Sequence, residues 1–173
     1  MKFDTSIVQA IFRSPLGSIT IAATSAGLAG LWFADQKHLP AELTSAAVWP
    51  SDPSHPVLKQ VSQQLTEYFA GQRVRFDVPL DLAGGTVFQQ SVWQALLAIA
   101  PGKTASYSDI SSRIGKPAAV RAVGAAVGRN PVSIIVPCHR VLGADGALTG
   151  YAGGLERKTV LLQLEGVLEE SLL

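Results

Sequence analysis

Cys138 is the only cysteine of the chain. It stands between an apolar run, residues 134–137, and two basic side chains, His139 and Arg140. A cysteine attacks as its thiolate, and an unperturbed thiol titrates at about 8.5, so little of it is ionised at neutral pH. Cationic neighbours and a hydrogen-bonded base lower that value, and His139 and Arg140 are of the types that could do so. In an extended segment adjacent side chains point to opposite faces, so contact between Cys138 and His139 needs a turn or a bridging water. A third group must orient the imidazole, and Glu165, in the apolar stretch LLQLEG, is the acid of the right type. From these residues alone, an inert buried thiol and an activated nucleophile both stay open.

Charge gives the second lead. Residues 103–140 hold six cations (Lys103, Arg113, Lys116, Arg121, Arg129 and Arg140) against one acid, Asp109, in a chain whose net charge is +1. Residues 1–85 hold six Lys/Arg and seven Asp/Glu. A local excess of this kind fits an anionic partner, nucleic acid first, although a solvated basic face would account for it equally well. One cysteine excludes an internal disulfide and a cysteine-based zinc site. His38 and His55 are expected at the surface, and no metal is expected. Without a signal-peptide pattern or an apolar run of about 18–20 residues, the sequence reads as a soluble, cytoplasmic protein of a reducing compartment.

The elements that must position these residues are legible in outline. Residues 7–13, 18–24 and 28–33 are apolar and β-branched runs separated by Pro/Gly turns, which predicts a small sheet. Residues 35–55 read as loop with one short helix. Residues 55–71 repeat Val57, Val61, Leu65 and Phe69 and stop at Gly71, which predicts a helix. Residues 74–85 read as an extended, then turn-like linker. In the second half, residues 86–102 repeat Phe88, Val92, Leu96 and Ala100 as a helix. Residues 106–115 open with a Ser106/Asp109 capping box and close on Gly115. Pro117 then starts a helix over 117–130, so a helix-turn-helix is expected. A last helix over 154–166 places Val160, Leu161 and Leu164 on one face. The fold class is therefore α+β: an N-terminal sheet-and-helix domain, 1–82, then a mostly helical, winged-helix-like domain, 86–173.

The helix over 117–130 is nearly bare. Ala118, Ala119, Ala122, Gly124, Ala125 and Ala126 leave Arg121 as its one long probe. Tight helix packing would explain this, and so would close approach to a nucleic-acid groove. A major-groove reader offers several polar side chains to base edges, and this helix offers none, so a shallow minor-groove contact fits better.

Seven segments in order resemble the O6-alkylguanine-DNA alkyltransferases: FQQSVWQAL (88–96), SYSDI (106–110), AAVRAVGAA (118–126), GRNPVSIIV (128–136), PCHRV (137–141), GYAGG (150–154) and LEG (164–166). PCHR with the upstream Asn-Pro-Val is the most specific of them. The likeness covers residues 86–167, about half of the chain, and the N-terminal sheet is compatible with the family's variable first domain.

The resemblance implies that Cys138 takes the alkyl group, that His139 activates it through a water, and that Glu165 orients His139. It implies that Asn130 braces the active-site turn and that Tyr107 donates to the flipped guanine. Arg121 would insert into the base stack, with Ala119, Ala122, Gly124, Arg129 and Arg140 beside it on the DNA. Ser133, Val141, Tyr151, Ala152 and Gly153 would line the alkyl pocket. Ser133 stands where members often carry proline, and Ala152 where some carry serine, so the pocket's tolerance of bulky groups is left open.

The implied function is single-turnover repair of O6-alkylguanine, with O4-methylthymine as a second substrate, in double-stranded DNA. The protein would be a monomer that needs no cofactor. A Cys–His–Glu hydrolase and a binding-only sensor of alkylated DNA are the alternatives. The first leaves the basic helix pair unexplained, and the known binding-only relatives lack the cysteine.

Overall fold

Three strands, β1 (Val8–Ser14), β2 (Gly17–Thr24) and β3 (Gly27–Phe33), form an antiparallel sheet in the order β1-β2-β3. Ala10 pairs with Ile21, and Ile21 with Leu31, so apolar side chains line up across the sheet. The protein is described here from a computed structural model covering residues 1–46 and 48–169. The predicted end of the second domain, residues 170–173, lies outside the described residues.

Helix α1 (Pro56–Phe69) packs across all three strands and buries Leu58, Val61, Gln64, Leu65 and Tyr68. Its stripe differs from the spacing of four expected from Val57 and Phe69, which are only half-buried. A helix of 3.6 residues per turn keeps one face buried through steps of three and four, and a strict step of four drifts off it. His55 is half-buried and caps α1, its Nδ1 accepting from the Val57 amide at 3.2 Å.

Residues 74–85 are not a free linker. Leu28 N–H donates to Pro79 O and Asp81 N–H to Leu28 O, both at 2.8 Å, so this segment pairs with the open edge of β3. The approach is close enough that a Cβ on Gly27 would lie 2.6 Å from the Pro79 carbonyl oxygen, and Gly27 sits at φ +149°. The chain divides into two compact units, residues 1–86 and 87–173.

The second unit is helical: α2 (Val87–Leu97), α3 (Tyr107–Arg113), α4 (Val120–Gly128) and α5 (Leu155–Leu164). Two short strands, β4 (Ala105–Ser106) and β5 (Val141–Leu142), pair in parallel. The Ser106/Asp109 capping box opens α3, with its two bonds at 3.0 and 2.8 Å. Gly115, at φ +74°, follows the helix as expected.

Helix α4 starts at Val120 rather than Pro117. No side chain caps it, and the Ala119 amide is taken by the Lys116 carbonyl in the preceding turn. That turn is also held by the Ser111 hydroxyl on the Lys116 carbonyl and by the Lys116 ammonium, 5.7 Å from the Phe88 ring centre. Trp93 of α2 donates its indole N–H to Ala126 O at 2.9 Å and so fixes α4 against α2. No helix among the described residues is long and apolar enough to cross a membrane.

The first unit yields a stability prediction. Trp32 is 2% exposed, and its ring touches those of Phe3 and Trp49. It also lies over Gly30, where an added Cβ would fall 1.8 Å from the indole. Gly30→Ala must therefore displace a packed ring, an overpacking that costs about 1–3 kcal/mol. Urea unfolding followed by tryptophan fluorescence should show the loss; an unchanged midpoint would contradict this account of the cluster.

Candidate active site

All ten residues from Pro131 to Arg140 are buried. An apolar sequence accounts for their burial, but its path depends on one amide. Asn130, 4% exposed, accepts the Val132 amide at 3.0 Å on Oδ1 and donates from Nδ2 to Val136 O at 2.8 Å. It thereby closes the segment into a loop. Inside this loop the Ile135 amide donates to Ser133 O at 2.8 Å around Ile134, which sits at φ +72°. This is the positive-φ form of the γ-turn, uncommon and strained, and costly for a β-branched residue. A second γ-turn follows at Pro137 (φ −82°, ψ 63°), where the Cys138 amide donates to Val136 O at 2.8 Å. The chain emerges in a 3₁₀ turn, Cys138–Arg140. The segment is therefore not extended at the thiol, and the opposite-face objection to a Cys–His site falls away.

His139 is fully buried, and its Nε2 lies 2.5 Å from Glu165 Oε2. Glu165 gives its other oxygen to Arg140, whose Nε donates to Oε1 at 2.5 Å and whose second nitrogen donates to Ile99 O at 2.5 Å. Burial opposes the charge on Glu165, but the hydrogen bonds from His139 and Arg140, with the Arg140 charge, outweigh it and hold the carboxyl well below its usual range. Burial likewise holds His139 below its ordinary value, against the pull of Glu165, so the imidazole is neutral. A neutral ring that donates from Nε2 carries its lone pair on Nδ1, and among the described residues that buried nitrogen has no hydrogen-bond partner. A general base aimed at a proton has this form.

The thiol is less ionised than the basic neighbours suggested. Burial pushes Cys138 up, and this outweighs the Asn130 side chain, the Lys158 charge and the backbone amides that favour the thiolate. The reason lies in the neighbours: His139 is uncharged and Arg140 is spent on Glu165. Arg140 is therefore corrected from a DNA contact to a buried structural cation, 6% exposed. Gly124 of α4 is half-buried, and an added Cβ would rest 3.9 Å from the Tyr107 ring.

Tyr107, at the start of α3, is half-buried, and its hydroxyl donates to Thr149 O at 3.3 Å. Burial holds its phenol above the usual value. Arg121, Ala122, Ala125 and Arg129 form an exposed face on and just beyond α4, while Val123, Ala126 and Val127 are buried beneath them. Ala119, just ahead of the helix, is half-buried. Ser133 and Val141 are buried in the cysteine segment, and Tyr151, Ala152 and Gly153 follow the loop before α5.

One residue was missed. Lys158 of α5 is fully buried, and its Nζ donates to Val141 O (2.6 Å), Thr149 O (2.9 Å) and Gly150 O (3.1 Å). The buried face of α5 is Lys158, Leu161 and Leu162, with Glu165 one turn on, rather than Val160, Leu161 and Leu164. A lysine three and four residues ahead of two leucines carried that signal.

A buried thiol in a constrained loop beside an oriented imidazole suits a cysteine nucleophile, and the exposed small-residue face of α4 suits close approach to a partner surface. Comparison with known proteins agrees throughout the chain. The family model for the 6-O-methylguanine DNA methyltransferase DNA binding domain matches residues 87–167, and that for its ribonuclease-like domain matches residues 7–82. A methylated-DNA–protein-cysteine methyltransferase of Mycobacterium tuberculosis is 50% identical over 152 residues, 88% of each chain. That of Methanosarcina acetivorans is 47% identical over 157 residues, 91% of this chain and 97% of the relative. The crystal structure of the Mycobacterium tuberculosis O6-methylguanine methyltransferase superposes with a TM-score of 0.80 at 47% identity, covering 92% of both chains. A structure of that organism's OGT in complex with DNA superposes with the same TM-score of 0.80.

The chain belongs to the O6-methylguanine DNA methyltransferase family. Its activity is that of a methylated-DNA–protein-cysteine methyltransferase, a DNA-repair enzyme.

The buried triad predicts a pH dependence. The folded value of Glu165, about 2, lies below its unfolded value, so between the two the unfolded chain binds the extra proton. The stability this group contributes is complete above about pH 4.5 and is lost as pH falls toward 2. Glu165→Gln should flatten that limb of the acid-unfolding curve. At pH 7 it should cost about 3–5 kcal/mol, because Arg140 is left buried and unpaired. Urea unfolding at stepped pH checks both; an unaltered acid limb would refute the assignment.

Proposed function

We propose that Cys138 is the alkyl acceptor and that His139 Nδ1, through a water, takes its proton as the reaction begins. The observation that carries this reading is the His139–Glu165 bond, which commits Nε2 and leaves Nδ1 as the basic nitrogen of the ring. The sulfur then attacks the alkyl carbon, a C–S bond forms, and the carbon–oxygen bond to guanine breaks with its electron pair leaving on the base. Tyr107 supplies the hydrogen bond that stabilises that charge. The product is a thioether, which water does not cleave, so one chain repairs one lesion.

The substrate class is O6-alkylguanine in double-stranded DNA, with O4-methylthymine as a second substrate. An alkyl group on O6 lies within the stack, so the nucleotide must be extruded before an in-line attack. The exposed face of Arg121, Ala122, Ala125 and Arg129 fits a minor groove closely, and Arg121 is the one long side chain able to fill the vacated space. Lys103, Arg113 and Lys116 are exposed and suited to phosphates. The active unit is a monomer of the cytoplasm that uses no cofactor.

Incubation with an O6-methylguanine duplex should add one methyl group per chain, on the peptide holding Cys138. Cys138→Ser should abolish transfer while keeping DNA binding, and repeated turnover by a small amount of protein would refute the scheme. Arg121→Ala should slow repair of the duplex far more than reaction with a free alkylguanine base. Equal losses on the two substrates would remove Arg121 from the extrusion step.

Ser133 replaces an apolar wall with a hydroxyl, and the lost contact costs on the order of 1–3 kcal/mol for a large substituent. Ser133→Pro should therefore raise the rate with O6-benzylguanine more than the methyl rate. Equal factors on both rates would exclude this role.

A further inference from the structure

Among the described residues, Lys158 is the one fully buried charged residue that this mechanism does not use. A methionine would fill the same volume without the desolvation that a buried ammonium suffers. The ammonium has three N–H donors, and three carbonyls take them: Val141, next after the Cys138 turn, and Thr149 and Gly150, on the far arm of the following loop. None is left to donate to the thiol or to a substrate. Its influence must therefore be positional and electrostatic.

Both routes lead to groups already assigned. Thr149 O accepts from Lys158 and also from the Tyr107 hydroxyl, so one carbonyl places both donors. The carbonyls of two exposed residues, Thr149 and Gly150, are drawn inward by this single cation. The loop between is closed by Gly143 N–H on Ala147 O at 2.9 Å, so Thr149 and Gly150 follow as a braced arm. The charge of Lys158 also favours ionisation of Cys138.

We propose that Lys158 is a positioning residue for methyl transfer, clamping the 143–150 loop onto the Cys138 turn and fixing the Tyr107 hydroxyl through Thr149. This rests on the roles given above to Cys138 and Tyr107. Burial depresses the ammonium to about 8, with Cys138 opposing the fall, so the clamp is intact at neutral pH and weakens as pH rises past that point. Cys138 and His139 from the 3₁₀ turn, and Tyr107 from α3 across the shared carbonyl, are the titratable groups facing it.

The test uses Lys158→Met in the full chain. Methyl transfer from an O6-methylguanine duplex in a single turnover should slow by about tenfold or more, the factor that one unit of thiol shift removes in thiolate. The pH profile of Cys138 alkylation by iodoacetamide should move upward. Tyr107→Phe should cost less in the Lys158→Met background than in the unsubstituted protein, because the two share an acceptor. A merely structural lysine would lower the melting temperature, leave the alkylation profile in place and give additive losses, and that result overturns the proposal.

Should Lys158→Met not fold, hydrogen exchange in the unsubstituted protein decides. Protection of the 143–150 amides, corrected for intrinsic pH dependence, should fall above about pH 8, and constant protection to pH 10 overturns the clamp. Transfer by the Cys138→Ser control would instead overturn the assignment of the acceptor and leave the loop measurement standing.

Discussion

The bidentate use of Glu165 is the interaction on which the rest of the site depends. One carboxylate, fully withdrawn from water, takes an imidazole on one oxygen and a guanidinium on the other. The guanidinium keeps it ionised, and the ionised carboxylate fixes the imidazole's tautomer. Because His139 and Arg140 are neighbours in one 3₁₀ turn, anchoring both to α5 also fixes the turn that carries Cys138. A single charge thus sets the protonation state of the imidazole and the position of the thiol. Removing it would leave a buried cation and an undirected ring together.

Asn130 and Glu165 divide the work of holding the cysteine segment. Asn130 folds the chain back through two backbone groups of the same loop, while Glu165 ties the emerging turn to a distant helix. Between them lies Ile134, in a backbone conformation that a β-branched residue adopts only when its surroundings impose it. Full burial and hydrogen bonds on both sides supply that imposition. The loop is rigid because it is over-determined, and the alkyl transfer proposed for Cys138 needs a sulfur held in one place.

The strands, the helices and the capping box were legible because each rests on local chemistry: apolar alternation, glycine stops and a serine with an acid three residues on. Cys138, His139 and Glu165 were legible by residue type. What escaped depended on partners remote in sequence. Arg140 read as part of a basic patch, since nothing near it reveals that Glu165, 25 residues away, claims its guanidinium. The extended stretch 74–85 read as a linker, because its partners, the open edge of β3 and Gln60 and Gln64 of α1, lie outside the segment. The α1 face drawn at a step of four took in Val57 and Phe69 at the margin of the buried stripe, and the α5 face missed Lys158 and Leu162. The positive φ at Ile134 has no sequence signature at all, since glycine or asparagine would have announced it and isoleucine does not.

The protonation of the resting thiol bears on how the protein survives until it is needed. A sulfur consumed by one reaction gains nothing from being permanently ionised, since an exposed thiolate is the form that peroxides oxidise and adventitious electrophiles trap. Cys138 is 8% exposed and held as the thiol by its burial. Its latency is therefore a form of shelf life: the same buried setting that makes the sulfur sluggish alone preserves the whole molecule from being wasted on the wrong reagent.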